Sequence, residues 1–380
     1  MSALGDRQEA EQLLSAQAVR DAANSMFRLA QAWRLPQWSL DMSRMDAAAD
    51  LTAETVRANY PDLKVPFHAR WRHFNAGGRD LWAEADKPSD PTELGRAAFN
   101  LIIPSVLLDA GAGAGWRYRD VTGAELARSE GLGVASLRMW QSGGLDDLSA
   151  VTATAVADAF QVSDDNPLVG VEGRAALLRR LGQAVGQPSR LFDLMAARAV
   201  RGVLSAPDIL EVLLVELGPI WPGRLELGGL PLGDCWPHPL PAHGVVPLHK
   251  LSQWMSYSLI EPLQWAGIRV TNIDGLTGLA EYRNGGLFVD AGVLRLRNPD
   301  DARIGHPVGS ELVVGWRALT VALLDRIAPM VRKRLGVSAK TFPLACVLEG
   351  GTWAAGRRIA ASLRADGGPP IKVISDGTVF

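Results

Sequence analysis

The stretch Glu311–Leu335, ELVVGWRALTVALLDRIAPMVRKRL, decides the fold class. Apolar residues return along it at helical spacing, and Ser310 stands at the position of an N-cap, so it reads as the longest helix of the chain. Working outward, the same period predicts helices near Glu9–Trp33, Ser43–Asn59 and Thr92–Leu108, the last with Thr92 as its cap. It returns at Glu172–Val185, Leu191–Gly202, Pro207–Leu217, Leu248–Glu261 and Thr352–Ala365. Proline suits the first turn at Pro207, stops the run at Pro262, and Thr352 reads as a cap. Around Thr122–Gly123 and Gly228–Gly229 short apolar runs flank turn residues, the pattern of small hairpins, and Pro237–Pro247 reads as loop. The expected fold is mainly α with small β-hairpins. It is expected as a single domain, with an N-terminal helical part over 1–110, a hairpin and helices over 111–245, and a C-terminal helical part over 246–380.

Composition narrows the function classes. Of 380 residues, 47% are apolar and 21% charged, the balance of a folded globular chain. Thirty-nine basic against 41 acidic residues give a net charge of −2, with no overall field for gripping nucleic acid. The longest apolar stretch, Ala97–Ala114, is interrupted by Asn100, Pro104 and Asp109, so no membrane insertion is expected. The two cysteines, Cys235 and Cys346, are too far apart in sequence for a CxxC knuckle, and a reducing compartment is the natural reading. The polar, acidic start MSALGDRQEAEQLL lacks signal-peptide and transit-peptide patterns, so the expected location is cytoplasmic.

Few motifs carry chemistry on spacing alone. DAGAGAGW, Asp109–Trp116, has neither GxGxxG nor GxxxxGK[ST] spacing and reads as a turn from helix into hairpin. Cys235, His238, His243 and His249 crowd one loop but match no standard zinc knuckle; HExxH and GxSxG are absent. No metal or other cofactor is expected. The densest polar groups in apolar surroundings are HKLSQW, His249–Trp254, and Asn272–Asp290, which holds the triplet Glu281-Tyr282-Arg283. That triplet reads equally as a cleft carboxylate with its guanidinium or as a buried structural pair. Glu311 and Arg317, six apart, point to different sides of their helix, whereas Trp353 and Arg357 share a face.

RWRHFNAGG (Arg70–Gly78), SVLLDAGAGAGWRYRD (Ser105–Asp120), RSEGLGVAS (Arg128–Ser136), NPLVGVEGR (Asn166–Arg174), LGDCWPH (Leu232–His238), HKLSQWMSYSLIEPLQ (His249–Gln264), EYRNGGLFVD and the ending GGPPIKVISDGTVF together resemble the uracil-catabolism protein four family. The resemblance spans nearly the whole chain. It implies a route in which uracil becomes its ribonucleotide, the ring opens, and urea and a three-carbon acid leave. In the same order along the chain, shorter segments are similar to the queuosine-salvage protein family, which hydrolyses an N-glycosidic bond on a helical fold partly like that of DNA glycosylases. That similarity falls on Asp109, Trp116, Asn166–Arg174, Lys250, Glu281 to Arg283, Glu311, Arg317, Trp353 and Arg357. Glu281 is one methylene longer than the aspartate of that family's motif.

Together the resemblances imply an N-ribosyl hydrolase acting on a small nucleotide or ribosyl-phosphate, ribosylurea 5-phosphate in particular, to release urea and ribose 5-phosphate. Such a reaction builds positive charge at the anomeric carbon and needs a carboxylate, a water and help for the leaving nitrogen. Glu281 is the expected carboxylate, oriented by Arg283. Asp109 is expected to hold ribose hydroxyls, and Glu311 to serve as the acid. His249, Lys250 and Arg317 would bind the 5′-phosphate, Trp116 or Trp254 would stack on the base, and Trp353 with Arg357 would line the substrate. Two alternatives stay open. One is a metal-dependent amidohydrolase acting on the opened pyrimidine, drawing on the histidine loop; the other is a non-catalytic binding protein of the same pathway.

Overall fold

In the computed structural model the Ser310 hydroxyl accepts the Val313 amide at 3.4 Å, and the helix Glu311–Leu335 starts there. The structure describes residues 3–113, 115–221, 225–240 and 244–374. They are mainly helical with small two-stranded pairings. The sequence suggests one domain along the chain; the contacts gather into two units, each assembled from separate stretches. Residues 3–68, 225–240, 244–253 and 272–374 make the first unit, and 69–113, 115–221 and 254–271 the second. Local periodicity carries no mark of which distant stretches will pair.

In the first unit, Glu311–Leu335 is buried along most of its length and packs on the helices Ala16–Gln31 and Met45–Asn59. Ala16–Gln31 turns Val19, Ala23, Met26, Phe27 and Ala30 inward, one face at helical spacing. Met45–Asn59 presents Ala48, Ala49 and Ala53, small enough for close approach. Each fully buried Val, Leu or Met adds roughly 1.5–3 kcal/mol. Trp38 stacks on Trp316 at 6.3 Å and donates its indole N–H to the Leu312 carbonyl at 2.9 Å, so its polar atom is satisfied inside the core. Its strand, Trp38–Leu40, pairs antiparallel with Leu294–Leu296, and Gly305–Pro307 pairs parallel with Lys372–Ile374. Tyr282–Asp290 packs against Trp353–Leu363, where Gly356 leaves no room for a Cβ beside the Arg283 carbonyl.

The second unit holds the helices Pro91–Leu107, Arg128–Gln141, Val171–Val185, Ser189–Arg198 and Ala206–Glu216. The expected hairpin at Thr122–Gly123 is present, Tyr118–Arg119 pairing with Glu125–Leu126. Val203–Ser205 pairs parallel with Arg269–Thr271, a long-range pairing without a local signal. Trp71, Trp82 and Trp265 form an aromatic cluster with centroids 4.9 to 6.0 Å apart, and Trp140 joins at 5.8 Å from Trp82.

Several boundaries differ from the sequence reading, each for a visible reason. The predicted helix Glu9–Trp33 is two, Ala3–Leu13 and Ala16–Gln31, because Ser15 caps a second start by accepting the Ala18 amide. Asp90, not Thr92, caps Pro91–Leu107: its carboxylate accepts both the Thr92 and Glu93 amides. The loop assigned to Pro237–Pro247 is flanked by a strand pair, Cys235–Pro237 with Val245–Pro247. The hairpin at Gly228–Gly229 is as expected. Thr352 is no cap, since the π-helical turn Val347–Thr352 runs directly into Trp353–Leu363. No helix of the described residues is long and apolar enough to cross a membrane.

Another boundary differs at Pro262, which sits inside the helix Lys250–Trp265 instead of stopping it. Proline has no N–H, so the Ser258 carbonyl four residues earlier loses its intrahelical donor. The indole N–H of Trp71 takes that carbonyl at 2.7 Å, and the Arg70 amide bonds the Ser258 hydroxyl at 2.9 Å. A donor brought in from another segment thus replaces the bond that proline removes. Trp71→Phe should lower stability by about 1–3 kcal/mol, read from urea midpoints, by orphaning a buried carbonyl. In the double variant with Pro262→Ala, part of that loss should be recovered; strictly additive effects would refute the exchange.

Candidate active site

The first unit is organised around a buried carboxylate that sequence reasoning passed over. Asp234 Oδ1 accepts from Arg317 Nη1 at 2.9 Å and from the Trp236 indole at 2.6 Å. Its Oδ2 accepts from Arg317 Nη2 at 2.8 Å and from the Lys250 amide at 2.9 Å. The roughly four lone-pair sites of a carboxylate are therefore all in use. Burial would push this carboxyl up, but the Arg317 guanidinium, with the Trp236 and Lys250 hydrogen bonds, outweighs it and holds Asp234 below its ordinary value. Arg317 Nε also donates to the Ala280 carbonyl at 3.1 Å, which anchors the residue preceding Glu281.

This arrangement changes the phosphate assignment made from sequence. Arg317 is buried and bidentate on Asp234, so its charge is already matched. His249 is buried, and its Nε2–H donates to the Leu13 carbonyl at 2.9 Å; desolvation pushes the imidazole below its ordinary value, towards the neutral form. Neither supplies a spare cation for phosphate. Lys250 opens its helix with its backbone amide on Asp234.

Glu281 is the N-cap of the helix Tyr282–Asp290. Its Oε2 accepts the Arg283 amide at 2.7 Å and its Oε1 the Asn284 amide at 2.6 Å, at the positive end of the helix dipole. Sequence reasoning gave the orienting role to the Arg283 guanidinium; the backbone amide of Arg283 performs it. The guanidinium donates to the Gly367 carbonyl at 3.1 Å and lies over the Tyr282 ring at 4.8 Å. The Asn284 side chain accepts from Thr352 Oγ1 at 2.8 Å, which ties this cap to the helix carrying Trp353 and Arg357. Arg357 lies over the Trp353 ring at 4.7 Å, the shared face that their spacing predicts. The helix capped by Glu281 is thus joined to the helix that carries Trp353 and Arg357, and Arg317 reaches the cap through Ala280.

Other expected site residues have different surroundings. Glu311 is exposed in the first turn of its helix, accepting from Gln37 at 3.2 Å, so it is not the sheltered acid the chemistry calls for. Asp109 belongs to the second unit, where it pairs with Arg70 at 2.6 Å and accepts from Ser129 at 3.1 Å. Trp116 is fully buried there, with its indole on the Phe160 carbonyl at 2.9 Å, a packing role in place of base stacking. Trp254 lies in the same unit under the Arg70 guanidinium at 5.7 Å. In the histidine loop, Cys235 Sγ lies 3.7 Å from His249 Nε2, and His243 is outside the described residues. Among the described residues no three His, Cys, Asp or Glu side chains are arranged to hold a metal ion.

Asp234, Asn284 and Arg70 are the residues sequence reasoning missed. All three stand in stretches quoted above, yet nothing in their local pattern reveals partners far along the chain. Asp234→Asn would leave Arg317 buried without its counter-charge and should cost about 3–5 kcal/mol in urea denaturation. Because folding lowers the Asp234 carboxyl below its ordinary 3.8, its contribution is complete above that pH and is lost as pH falls below it. The wild type should therefore lose stability in acid more steeply than the Asn variant; parallel acid curves would show that the pair does not carry this term.

Comparison with known proteins sets this geometry in a family. The family model described as "Protein of unknown function (DUF1688)" matches residues 12–380. "Protein urg3" of Schizosaccharomyces pombe is 38% identical over 396 residues, covering 97% of this chain and 98% of that protein. "Uracil catabolism protein 4" of Lachancea kluyveri is 35% identical over 408 residues, covering 90% of this chain and 92% of that protein. A match of this length and identity, carried through the segments that build the Asp234 and Glu281 centres, places the chain in the DUF1688 family of uracil-catabolism protein 4.

Proposed function

We propose that this protein is an enzyme of uracil catabolism that hydrolyses an N-ribosyl bond, with ribosylurea 5-phosphate as substrate and urea and ribose 5-phosphate as products. The observation that carries the reading is the Glu281 carboxylate, held by two backbone amides at the start of a helix that packs on the helix of Trp353 and Arg357. The choice of pathway is supported by the similarity to the uracil catabolism protein of Lachancea kluyveri. A cytoplasmic location suits a nucleotide substrate.

Cleavage of an N-ribosyl bond leaves positive charge on the anomeric carbon and ring oxygen, and a fixed carboxylate lowers the energy of that state. Two of the lone-pair sites on Glu281 are spent on amides, which favours electrostatic stabilisation over drawing a proton from water. Arg357, braced on Trp353, takes the 5′-phosphate in place of His249 and Arg317. No step is assigned to Asp109, whose carboxylate is satisfied by Arg70 and Ser129. The amidohydrolase reading draws on the histidine loop, where no three of the described His, Cys, Asp or Glu side chains are arranged to hold a metal ion.

Purified protein incubated with ribosylurea 5-phosphate, beside uridine and queuosine 5′-phosphates, should release urea and ribose 5-phosphate from the first. Glu281→Gln should lower kcat by roughly 10²–10³. It should cost only about 1 kcal/mol of stability, as a weakened cap. Full turnover in a folded Gln variant would reduce Glu281 to a helix cap.

A further inference from the structure

The hydrolase reading leaves one task without a residue. Urea is a poor leaving group unless its nitrogen is protonated, and Glu311 is exposed. Within the first unit, a buried imidazole and a largely buried carboxylate face each other at the turn that leads into the helix of Trp353: His68 Nδ1 lies 2.6 Å from Glu349 Oε2, the two side chains 6% and 11% exposed. The His68 ring lies tilted against Trp353, with 5.7 Å between their centroids.

Several features of this region serve to bring the two together. The His68 amide bonds the Ala345 carbonyl at 3.0 Å, and Cys346 Sγ reaches the Val65 carbonyl at 3.2 Å, so the segment entering His68 is clamped to the turn carrying Glu349. Gly350 and Gly351 permit that closeness: a Cβ on the first would lie 2.9 Å from Val65, and on the second 2.8 Å from Thr52. Glu349 itself lies in the π-helical turn Val347–Thr352, a geometry rare in proteins and frequent at functional sites. From Thr352, next to Trp353, the path back to Glu281 is two hydrogen bonds, Thr352 to Asn284 at 2.8 Å and Asn284 to Glu281 at 2.6 Å.

We infer that His68 and Glu349 form the proton-donating dyad of this site, an inference that rests on the N-ribosyl hydrolase reading above. Glu349 accepts from Nδ1 and stabilises the imidazolium, and Nε2 hands its proton to the leaving nitrogen as the C1′–N bond breaks. The bonding pair stays with that nitrogen. Water adds its oxygen to C1′ and gives up one proton, which restores the imidazolium; one water is consumed per bond broken. Among the described residues, the charged and titratable groups recorded near the pair are Tyr60, against Gly350; Arg357, over Trp353; and Cys346, whose thiol burial pushes up to about 12, with Asp274 and Arg332 beyond it. Imidazole is the side chain that exchanges its proton near neutrality.

The test compares ribosylurea 5-phosphate with 4-nitrophenyl β-ribofuranoside 5-phosphate, whose nitrophenolate leaves without a proton. His68→Gln should lower kcat on the urea substrate by roughly 10²–10⁴ and on the nitrophenyl substrate by less than about tenfold. Glu349→Gln should show the same split more weakly. Equal losses on both substrates, or none on the urea compound, would overturn the dyad while the hydrolase reading stands. Should the variants not fold, the wild type decides: kcat on the urea compound must fall on the alkaline side and kcat on the nitrophenyl compound must not, and a shared limb or no limb overturns the dyad. A wild type that turns over neither substrate overturns the hydrolase reading itself, and the dyad with it.

Discussion

The ion pair between Asp234 and Arg317 is the constraint on which the first unit depends. Two opposite charges are taken out of water, which costs several kcal/mol each unless every polar atom finds a partner. Here the partners are found: the carboxylate is filled by a bidentate guanidinium, an indole and an amide, and the third guanidinium nitrogen goes to Ala280. Each bond ties down a different segment. The strand Cys235–Pro237, the start of Lys250–Trp265, the long helix Glu311–Leu335 and the loop before Glu281 all meet at this one ion pair.

That meeting point explains why the candidate site is where it is. Arg317 holds Ala280, the next residue caps a helix through its side chain, and Asn284 passes the connection to Thr352. A cap contributes only about 1 kcal/mol on its own. Its value for chemistry is positional, since two amides restrict a carboxylate that would otherwise sample several rotamers. Gly356 serves the same end by letting its backbone approach the Arg283 carbonyl, and Gly350 and Gly351 by leaving room for the Val65 and Thr52 side chains.

Polar atoms follow the same rule in the second unit. Pro262 breaks a helical bond and Trp71 replaces it, so a residue that ends most helices is tolerated in the middle of this one. Arg70 joins Ser105, Asp109, Ser129 and, through its amide, Ser258. A buried arginine with that many partners acts as a structural brace, and it absorbs the carboxylate that the family resemblance had suggested for the sugar.

What the sequence by itself determined is the helical class, the long helix with its Ser310 cap, the two Gly-centred hairpins, the shared face of Trp353 and Arg357, and the family. These depend on propensity, capping and periodicity, which act over a few residues and are written in the order of the residues. Only the tertiary structure decided the partition into two units, the continuation through Pro262, and the partners of each site residue. Asp234 and Arg317 are separated by 83 positions and His68 and Glu349 by 281, and no local pattern encodes such a pairing. The same triplet Glu281-Tyr282-Arg283 could have been a side-chain ion pair or a helix cap. The helix that follows it supplies two amides, and amides at a helix start are the nearer and better-placed donors.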